Sequence, residues 1–289
     1  MSAPGTKAIV VTGTSSGIGK AAVLALLDAG FHVYAGVRSD ADAARLRGDA
    51  PPGAADRLTT LLLDVTSPAQ IQAAVDLVER AVGAAGLWGL VNNAGISVAG
   101  PLEHVPSDDL RRQFEVNVIG QAAVTRAFLP LLRRARGRIV TTGSVAGFVA
   151  MPGLGPYAMT KHAMEAFSDS LRRELRPWGI EVSLLEPGTI ATDIWDKGQS
   201  AIESTLQRPP PGLVADYGRL VDSMRRVARA SVAHASPAAL VARDIVHACT
   251  ARRPRTRYCM GADSRLQRWI ARLPDRWADA LLARFLRWG

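Results

Sequence analysis

Six short apolar runs, rich in β-branched residues, recur along this chain, and their spacing restricts the fold more than any other feature. They are KAIVVTG, FHVYAGV, RLTTLLLDV, LWGLVNNAG, GRIVTTGS and IEVSLLEPG. Each has the length of a strand and is continuous enough to be covered on both faces. Helical patterns lie between most of them. GKAAVLALLDAG ends at Gly30, and a second helix opens near Ser67-Pro68 with proline at its first position. A long helical stretch covers roughly Ser107 to Arg136, another runs from Pro156 to about Arg176, and a third from Pro237 to Thr250. No helix is read between the second and third runs. TRYCM supplies a short seventh strand. Strands separated by helices predict right-handed crossovers and a parallel, doubly wound sheet of about seven strands with helices on both faces.

The expected class is therefore α/β, with one domain over residues 1–262. The stretch 193–236 breaks the rhythm, holds Pro209-Pro210-Pro211, and reads as an insertion over the strand ends, a helical lid. Residues 263–289 read as a helical extension.

Charge and composition exclude several classes. The chain carries a net +9, which invites a nucleic-acid partner. Residues 252–289 hold ten arginines against three aspartates, so an excess of seven sits in the tail. A basic tail is not a basic groove, and no helix-turn-helix or zinc-finger pattern accompanies it. Two cysteines make no disulfide framework, and five scattered histidines lack metal-ligand spacing. No apolar run approaches the ~20 residues of a membrane span. MSAPGTKAIVVTG passes almost directly into a strand without the layout of a secretion signal, so the cytoplasm is the expected compartment.

The first strand runs into Thr12-Gly13-Thr14-Ser15-Ser16-Gly17-Ile18-Gly19 and then a helix. The glycines are spaced Gly-x-x-x-Gly-x-Gly. Gly13 permits a tight turn, Gly17 lets backbone approach a pyrophosphate, and Gly19 allows close helix–strand packing. The helix N-terminus then offers free N–H groups to the anion. Far along the chain stands GPYAMTK, which pairs Tyr157 with Lys161 one helical turn later.

In these motifs the chain resembles the short-chain dehydrogenase/reductase family, loosely nearest its steroid- and retinol-oxidising branch. Thr12–Gly19 fits the family's cofactor loop, and Asn92-Asn93-Ala94-Gly95 fits its turn after the fourth strand. Asn117 in EVNVIG, Ser144 in TTGSVAG, and Tyr157 with Lys161 fit its catalytic tetrad. PGTIAT, with Pro187, Gly188, Ile190 and Thr192, fits the segment beside the nicotinamide, and Asp64-Val65 the position at the adenine. The match spans residues 7–260 and implies a Rossmann-like fold. It also implies an NAD(P)-dependent oxidoreductase interconverting a secondary alcohol and a ketone, or an aldehyde.

The chemistry agrees with that assignment. A phenol with a reference pKa near ~10 is a poor base at neutral pH. An ammonium on the same helix face favours the phenolate, and Pro156 places Tyr157 in the first turn, near the positive end of the helix dipole. The resemblance adds that Lys161 bonds the nicotinamide ribose, Ser144 holds the substrate oxygen, and Asn117 supports a proton relay. A catalytically silent dinucleotide-binding sensor is the alternative, but it would have no need of Ser144, Tyr157 and Lys161 together.

Finer expectations follow. Strand two ends in Arg38-Ser39 rather than an acidic residue, which favours NADP over NAD, although Asp40 and Asp42 follow closely. Phe148, Val149, Met151, Leu154, Ile194 and Trp195 are the candidate walls of an apolar substrate pocket, with Ser144 and Tyr157 at its reacting end. The resemblance implies a homodimer or homotetramer, with Ala163, Ala166, Phe167 and Ser170 along one stripe of the helix at 156–176. In the tail, Leu266, Trp269, Ile270 and Leu273, then Trp277, Leu281, Phe285 and Trp288, recur at helical spacing. That stripe has two readings. It packs on the body or a neighbouring subunit, or it meets an anionic membrane surface as a peripheral contact.

Overall fold

The apolar runs form seven strands because a run buried on both faces, with helical crossovers between, is stable only inside a covered sheet. A computed structural model describes residues 6–192, 207, 209–233 and 235–286. The strands are β1 Ala8–Val11, β2 His32–Val37, β3 Leu58–Leu62, β4 Gly89–Asn92, β5 Arg138–Thr142, β6 Glu181–Pro187 and β7 Arg257–Met260. They form one sheet in the order β3-β2-β1-β4-β5-β6-β7, with every pairing parallel. The strand order reverses between β1 and β4, and a crevice opens there at the carboxyl ends of the strands.

The helices cover both faces. They are α1 Gly17–Asp28, α2 Asp40–Gly48, α3 Pro68–Val82, α4 Ser107–Phe114, α5 Gln121–Ala135, α6 Gly155–Glu174, α7 Leu213–Ala233, α8 Ala238–Thr250, α9 Ala262–Ile270 and α10 Asp275–Leu286. Alternate residues of β1 serve opposite cores. Ile9 and Val11 pack with Leu26, Leu46 and Ile245 of α1, α2 and α8, while Ala8 and Val10 pack with Val78, Phe128 and Leu171 of α3, α5 and α6.

Local signals explain most boundaries. Ser67 caps α3 by accepting from Gln70 N at 3.4 Å, with Pro68 at the first position, and Gly30 follows α1 at φ +88°. The expected long helix at 107–136 is α4 and α5 joined by a π-helical turn over Glu115–Gly120. Helix α2 escapes the sequence reading. Only Ala43 and Leu46 of DADAARLRG are buried, so no apolar stripe marks it, and the Ser39 cap is its sole strong signal.

Two elements lie outside the sheet and its covering helices. Helix α7 lies against the loop after β5, where a Cβ on Gly153 would sit 2.0 Å from Met224 Sδ. It also meets the turn after β4, because the Tyr217 hydroxyl donates to Glu103 at 2.7 Å. The tail is pinned through Glu186, whose carboxylate is fully buried at the end of β6. It pairs with Arg268 of α9, meets Arg257 Nε at 3.2 Å and accepts from Cys259 Sγ at 2.7 Å. A charge in an apolar run persists only when compensated in this way.

Within one chain the predicted stripe covers the body only in part. Ile270 and Leu286 are buried, and Ala278 and Leu282 half-buried, while Leu266, Trp269, Trp277, Leu281 and Phe285 stay exposed. In α10 the inward stripe is therefore Ala278–Leu282–Leu286, one residue on from the aromatic one. Arg226 of α7 ties down the end of α10 by donating to Leu286 O at 3.3 Å. Trp288 lies outside the described residues. No helix among the described residues is long and apolar enough to cross a membrane.

Candidate active site

The glycine loop is shaped by what a side chain would strike. Gly13 adopts φ +67°, and a Cβ there would meet Ala94 Cα at 2.7 Å. A Cβ on Gly19 would lie 2.1 Å from Gly13 O and 2.5 Å from Asn93 Nδ2. The loop and the turn after β4 thus interlock. Asn93 Nδ2 donates to Thr12 O and Gly13 O at 3.1 and 3.0 Å, and Thr12 Oγ1 accepts from Asn93 N and Ala94 N at 2.9 and 3.0 Å. Thr14 ties the loop to β2 by donating to Gly36 O at 2.9 Å. Ser16 precedes α1 but its side chain makes no capping hydrogen bond, so the first N–H groups at Gly17, Ile18 and Gly19 remain for an outside acceptor. Ser15, Ser16 and Ile18 are part-exposed on this rim. Thr192 closes it, with Cγ2 3.0 Å from where a Gly17 Cβ would stand. A backbone cradle at a helix N-terminus, bare of side chains, fits the pyrophosphate of a dinucleotide.

Gly19→Ala is expected to destabilise the fold by about 1–3 kcal/mol, because the obstruction is backbone and cannot swing aside. Gly48→Ala is the control, since a Cβ there meets nothing within 4 Å. Thermal melts of the two variants check this; equal Tm values would contradict the interlock.

Beyond the cradle, α6 carries Tyr157 and Lys161 on one face. Lys161 is buried, its Nζ donating to Thr142 O at 2.8 Å and standing 5.5 Å from the Tyr157 ring centre. Burial pulls the Lys161 ammonium down to about 8. Burial pushes the Tyr157 phenol up to about 12, and a hydrogen bond with Ser144 works the other way. The low-dielectric surroundings thus oppose each charge alone, and the ammonium and phenolate favour one another as a pair. Ser144 sits at the end of β5, buried, its Oγ accepting from Ala146 N at 3.1 Å.

Asn117 occupies the π-helical turn. Its Oδ1 accepts from Ile96 N at 2.8 Å, and its Nδ2 donates to Ile96 O at 2.9 Å and Thr160 Oγ1 at 3.1 Å. The side chain therefore braces the turn after β4 against α6, and a Cβ on neighbouring Gly95 would stand 3.3 Å from Asn117 Oδ1. A π turn at a site is a recurrent device for re-aiming backbone groups. Thr160 relays the brace by donating to Tyr157 O at 2.8 Å. His162 turns away, its Nδ1 on Ala158 O at 2.9 Å, as a structural residue would.

At the far end of the crevice Arg38 is exposed after β2. Ser39 is engaged as the cap of α2, accepting from Asp42 N at 3.2 Å and donating to Asp42 Oδ2 at 2.9 Å. Burial acts to raise the Asp64 carboxyl, but hydrogen bonds from Thr66 and the charge of Arg38 outweigh it and hold the group below its ordinary value. Val65 is buried beside it. Pro187 is buried, Gly188 N donates to Met260 O at 3.0 Å, and Ile190 is buried, so this segment runs from the end of β6 toward Thr192. Phe148, Met151 and Leu154 are part-exposed around the loop after Ser144. Ile194 and Trp195 lie outside the described residues.

The sequence reading passed over Thr142, Thr160 and Glu186, and named Thr12 only as the first residue of the glycine loop. Thr160 and Thr142 were within reach, standing beside Lys161 and two residues before Ser144. Glu186 had a signal too, as an acid late in the apolar run IEVSLLEPG of a chain whose tail is arginine-rich.

Comparisons with known proteins agree with this geometry. The family described as short chain dehydrogenase matches residues 7–203. Mouse retinol dehydrogenase 5 is 42% identical over 284 residues, covering 95% of this chain and 87% of the relative. The NADPH-dependent 3-dehydrocapnine reductase of Ornithobacterium rhinotracheale is 36% identical over 284 residues, covering 96% of each. A solved short chain dehydrogenase/reductase from Burkholderia phymatum, in complex with NAD, matches with a TM-score of 0.72 and 29% identity over 87% of this chain and 88% of that one. With the glycine cradle at the switch point and Tyr157 and Lys161 on one face of α6, the chain belongs to the short-chain dehydrogenase/reductase family, oxidoreductases acting on CH–OH donors with NAD(P).

Proposed function

We propose that the protein is an NADP-dependent oxidoreductase that interconverts a secondary alcohol and a ketone, or an aldehyde, on a bulky hydrophobic substrate. One observation carries this reading: a buried lysine and a half-buried tyrosine share one face of α6, beside a buried serine. The nicotinamide, when bound, supplies or accepts the hydride. Tyr157 gives the proton to the carbonyl oxygen in reduction and takes it from the hydroxyl in oxidation. Ser144 holds that oxygen, Lys161 favours the phenolate and holds the ribose, and Asn117 keeps the proton path aligned. The loop at 17–19, with Ser15 and Ser16, takes the pyrophosphate. Asp64 and Val65 take the adenine, and Asn93, Ala94 and Gly95 line the middle of the crevice. Pro187, Gly188, Ile190 and Thr192 border the nicotinamide.

The substrate is the least specified part. Phe148, Met151 and Leu154 give an apolar wall, Ile194 and Trp195 belong to it by sequence, and α7 is its lid. The relative that acts on retinol supports a long apolar alcohol. A screen of hydrophobic alcohols and ketones, retinoids and steroids included, followed by nicotinamide absorbance, tests the reading. Turnover confined to small hydrophilic hydroxy acids would overturn it.

Assembly belongs to the same proposal. Residues 1–262 act as the catalytic body and 263–289 as an extension with a membrane as its peripheral partner. Ala166 and Ser170 are exposed on α6, Ala163 and Phe167 half-exposed, and Met159 lies open earlier on the same helix. Burying such a face twice makes a symmetric dimer or tetramer. Light scattering should give at least twice the chain mass; a monomer at every concentration would contradict it.

A further inference from the structure

Five apolar side chains of the tail are open to solvent: Leu266, Trp269, Trp277, Leu281 and Phe285, at 59, 57, 70, 40 and 61% exposure. In α10 they alternate with a second apolar stripe, Ala278, Leu282 and Leu286, which faces the body. One stripe suffices to hold the helix, so the aromatic stripe is surplus to folding. An aromatic patch of this kind is characteristic of a contact surface.

The charges around it indicate the partner. Arg272, Arg276 and Arg284 are exposed on and between α9 and α10. Helix α7 adds Arg225, Arg226 and Arg229, which with Asp222 line a cavity of about 270 Å³. Arg226 donates to Leu286 O, which brings this basic stretch to the end of α10, next in sequence to exposed Phe285. Asp222, Asp275 and Asp279 are exposed among these six arginines, so the apolar surface lies in surroundings with a net positive charge. It suits a layer that is apolar within and anionic at its edge.

We propose, resting on the reading of the protein as an enzyme for an apolar substrate, that α7, α9 and α10 form one docking face for an anionic phospholipid bilayer. The tryptophans and Phe285 enter the interface and the arginines meet the lipid phosphates. The face is joined to the substrate region at two points. Met224 of α7 packs at Gly153, and Arg268 of α9 stands 5.0 Å over the ring of Phe148. Docking thus sets the loop after Ser144 beside the lipid, where an apolar alcohol is concentrated.

The full chain, without substrate or cofactor, is sedimented with vesicles of phosphatidylglycerol and phosphatidylcholine, and with phosphatidylcholine alone. Binding is expected to the anionic vesicles, weaker in high salt and slight on the neutral ones. Trp277→Ser with Phe285→Ser should abolish it while leaving Tm unchanged, since both side chains are exposed. Arg229→Gln with Arg284→Gln should weaken it by roughly fivefold per arginine removed. If the aromatic double variant unfolds, Trp269→Ser alone and the salt series on the unaltered chain carry the test. Absence of binding to anionic vesicles, or equal binding to neutral ones, overturns the proposal. So does loss of an oligomer in the aromatic variant with lipid binding unaltered. Binding is read without turnover, so an inactive protein that sediments refutes the enzyme reading alone, and an active one that does not refutes the docking face alone.

Discussion

Tyr157→Phe should reduce turnover by about a thousandfold or more while leaving the fold and cofactor affinity intact, the scale at which losing a positioned acid–base group is felt. The substitution removes one oxygen and keeps the ring that packs in the first turns of α6. Lys161→Arg should fail nearly as badly for a different reason. The lysine is buried with its Nζ on Thr142 O, and a longer planar guanidinium cannot occupy that place. The pH dependence follows from the roles. Oxidation of an alcohol needs phenolate, and burial, only partly opposed by Ser144, pushes the Tyr157 phenol up to about 12. Oxidation should therefore climb with pH throughout the range below that value, and ketone reduction, which needs the phenol, should stay level until pH approaches it. Initial rates in both directions across pH check the signs. Near-normal turnover by Tyr157→Phe on the best substrate would show that another group moves the proton.

The sheet was legible because its strands are buried on both faces, and continuous apolar runs such as KAIVVTG survive any shift of register or boundary. The cradle was legible because Gly13 and Gly19 stand where a Cβ would strike backbone, so the requirement reaches the sequence as a spacing. The Tyr157–Lys161 pair was legible for a similar reason, since one helical turn separates the two residues. Contacts made across the fold left weaker traces. Nothing near Asn117 announces that its amide braces Ile96 and Thr160, or that the helix passes through a π turn there. Helix α2 left no stripe because it lies on the surface and buries two residues. In the tail the sequence showed the apolar stripe, but the end of α10 is tied down by Arg226 reaching Leu286 O from another helix.

Arg38→Asp should lower NADPH affinity by about a hundredfold while changing NADH affinity little, the effect of losing one or two charge-assisted hydrogen bonds and gaining a repulsion. The structure sharpens the reason. Four groups near the end of β2 bear on a 2′-phosphate, and three of them are already committed. Asp42 is paired with Arg45 and bonded by Ser39, so its negative charge is largely spent. Ser39 is held as the cap of α2. The Asp64 carboxylate accepts from Thr66 N and Oγ1 at 2.9 and 2.7 Å. Arg38 is left as the exposed cation, and among the described residues no hydrogen bond or ion pair fixes its guanidinium. Its attraction to Asp64 is mutual and through space, which a doubly charged phosphate at closer range exceeds. Fluorescence titration of both cofactors against the unaltered chain and the variant measures the ratio. Equal affinities in the unaltered chain would mean that Asp64 already neutralises Arg38 and that NADP has no preferred claim on the site. A large ratio that Arg38→Asp leaves intact would move the phosphate contact elsewhere, to the backbone N–H groups that Ser39 leaves open at the start of α2.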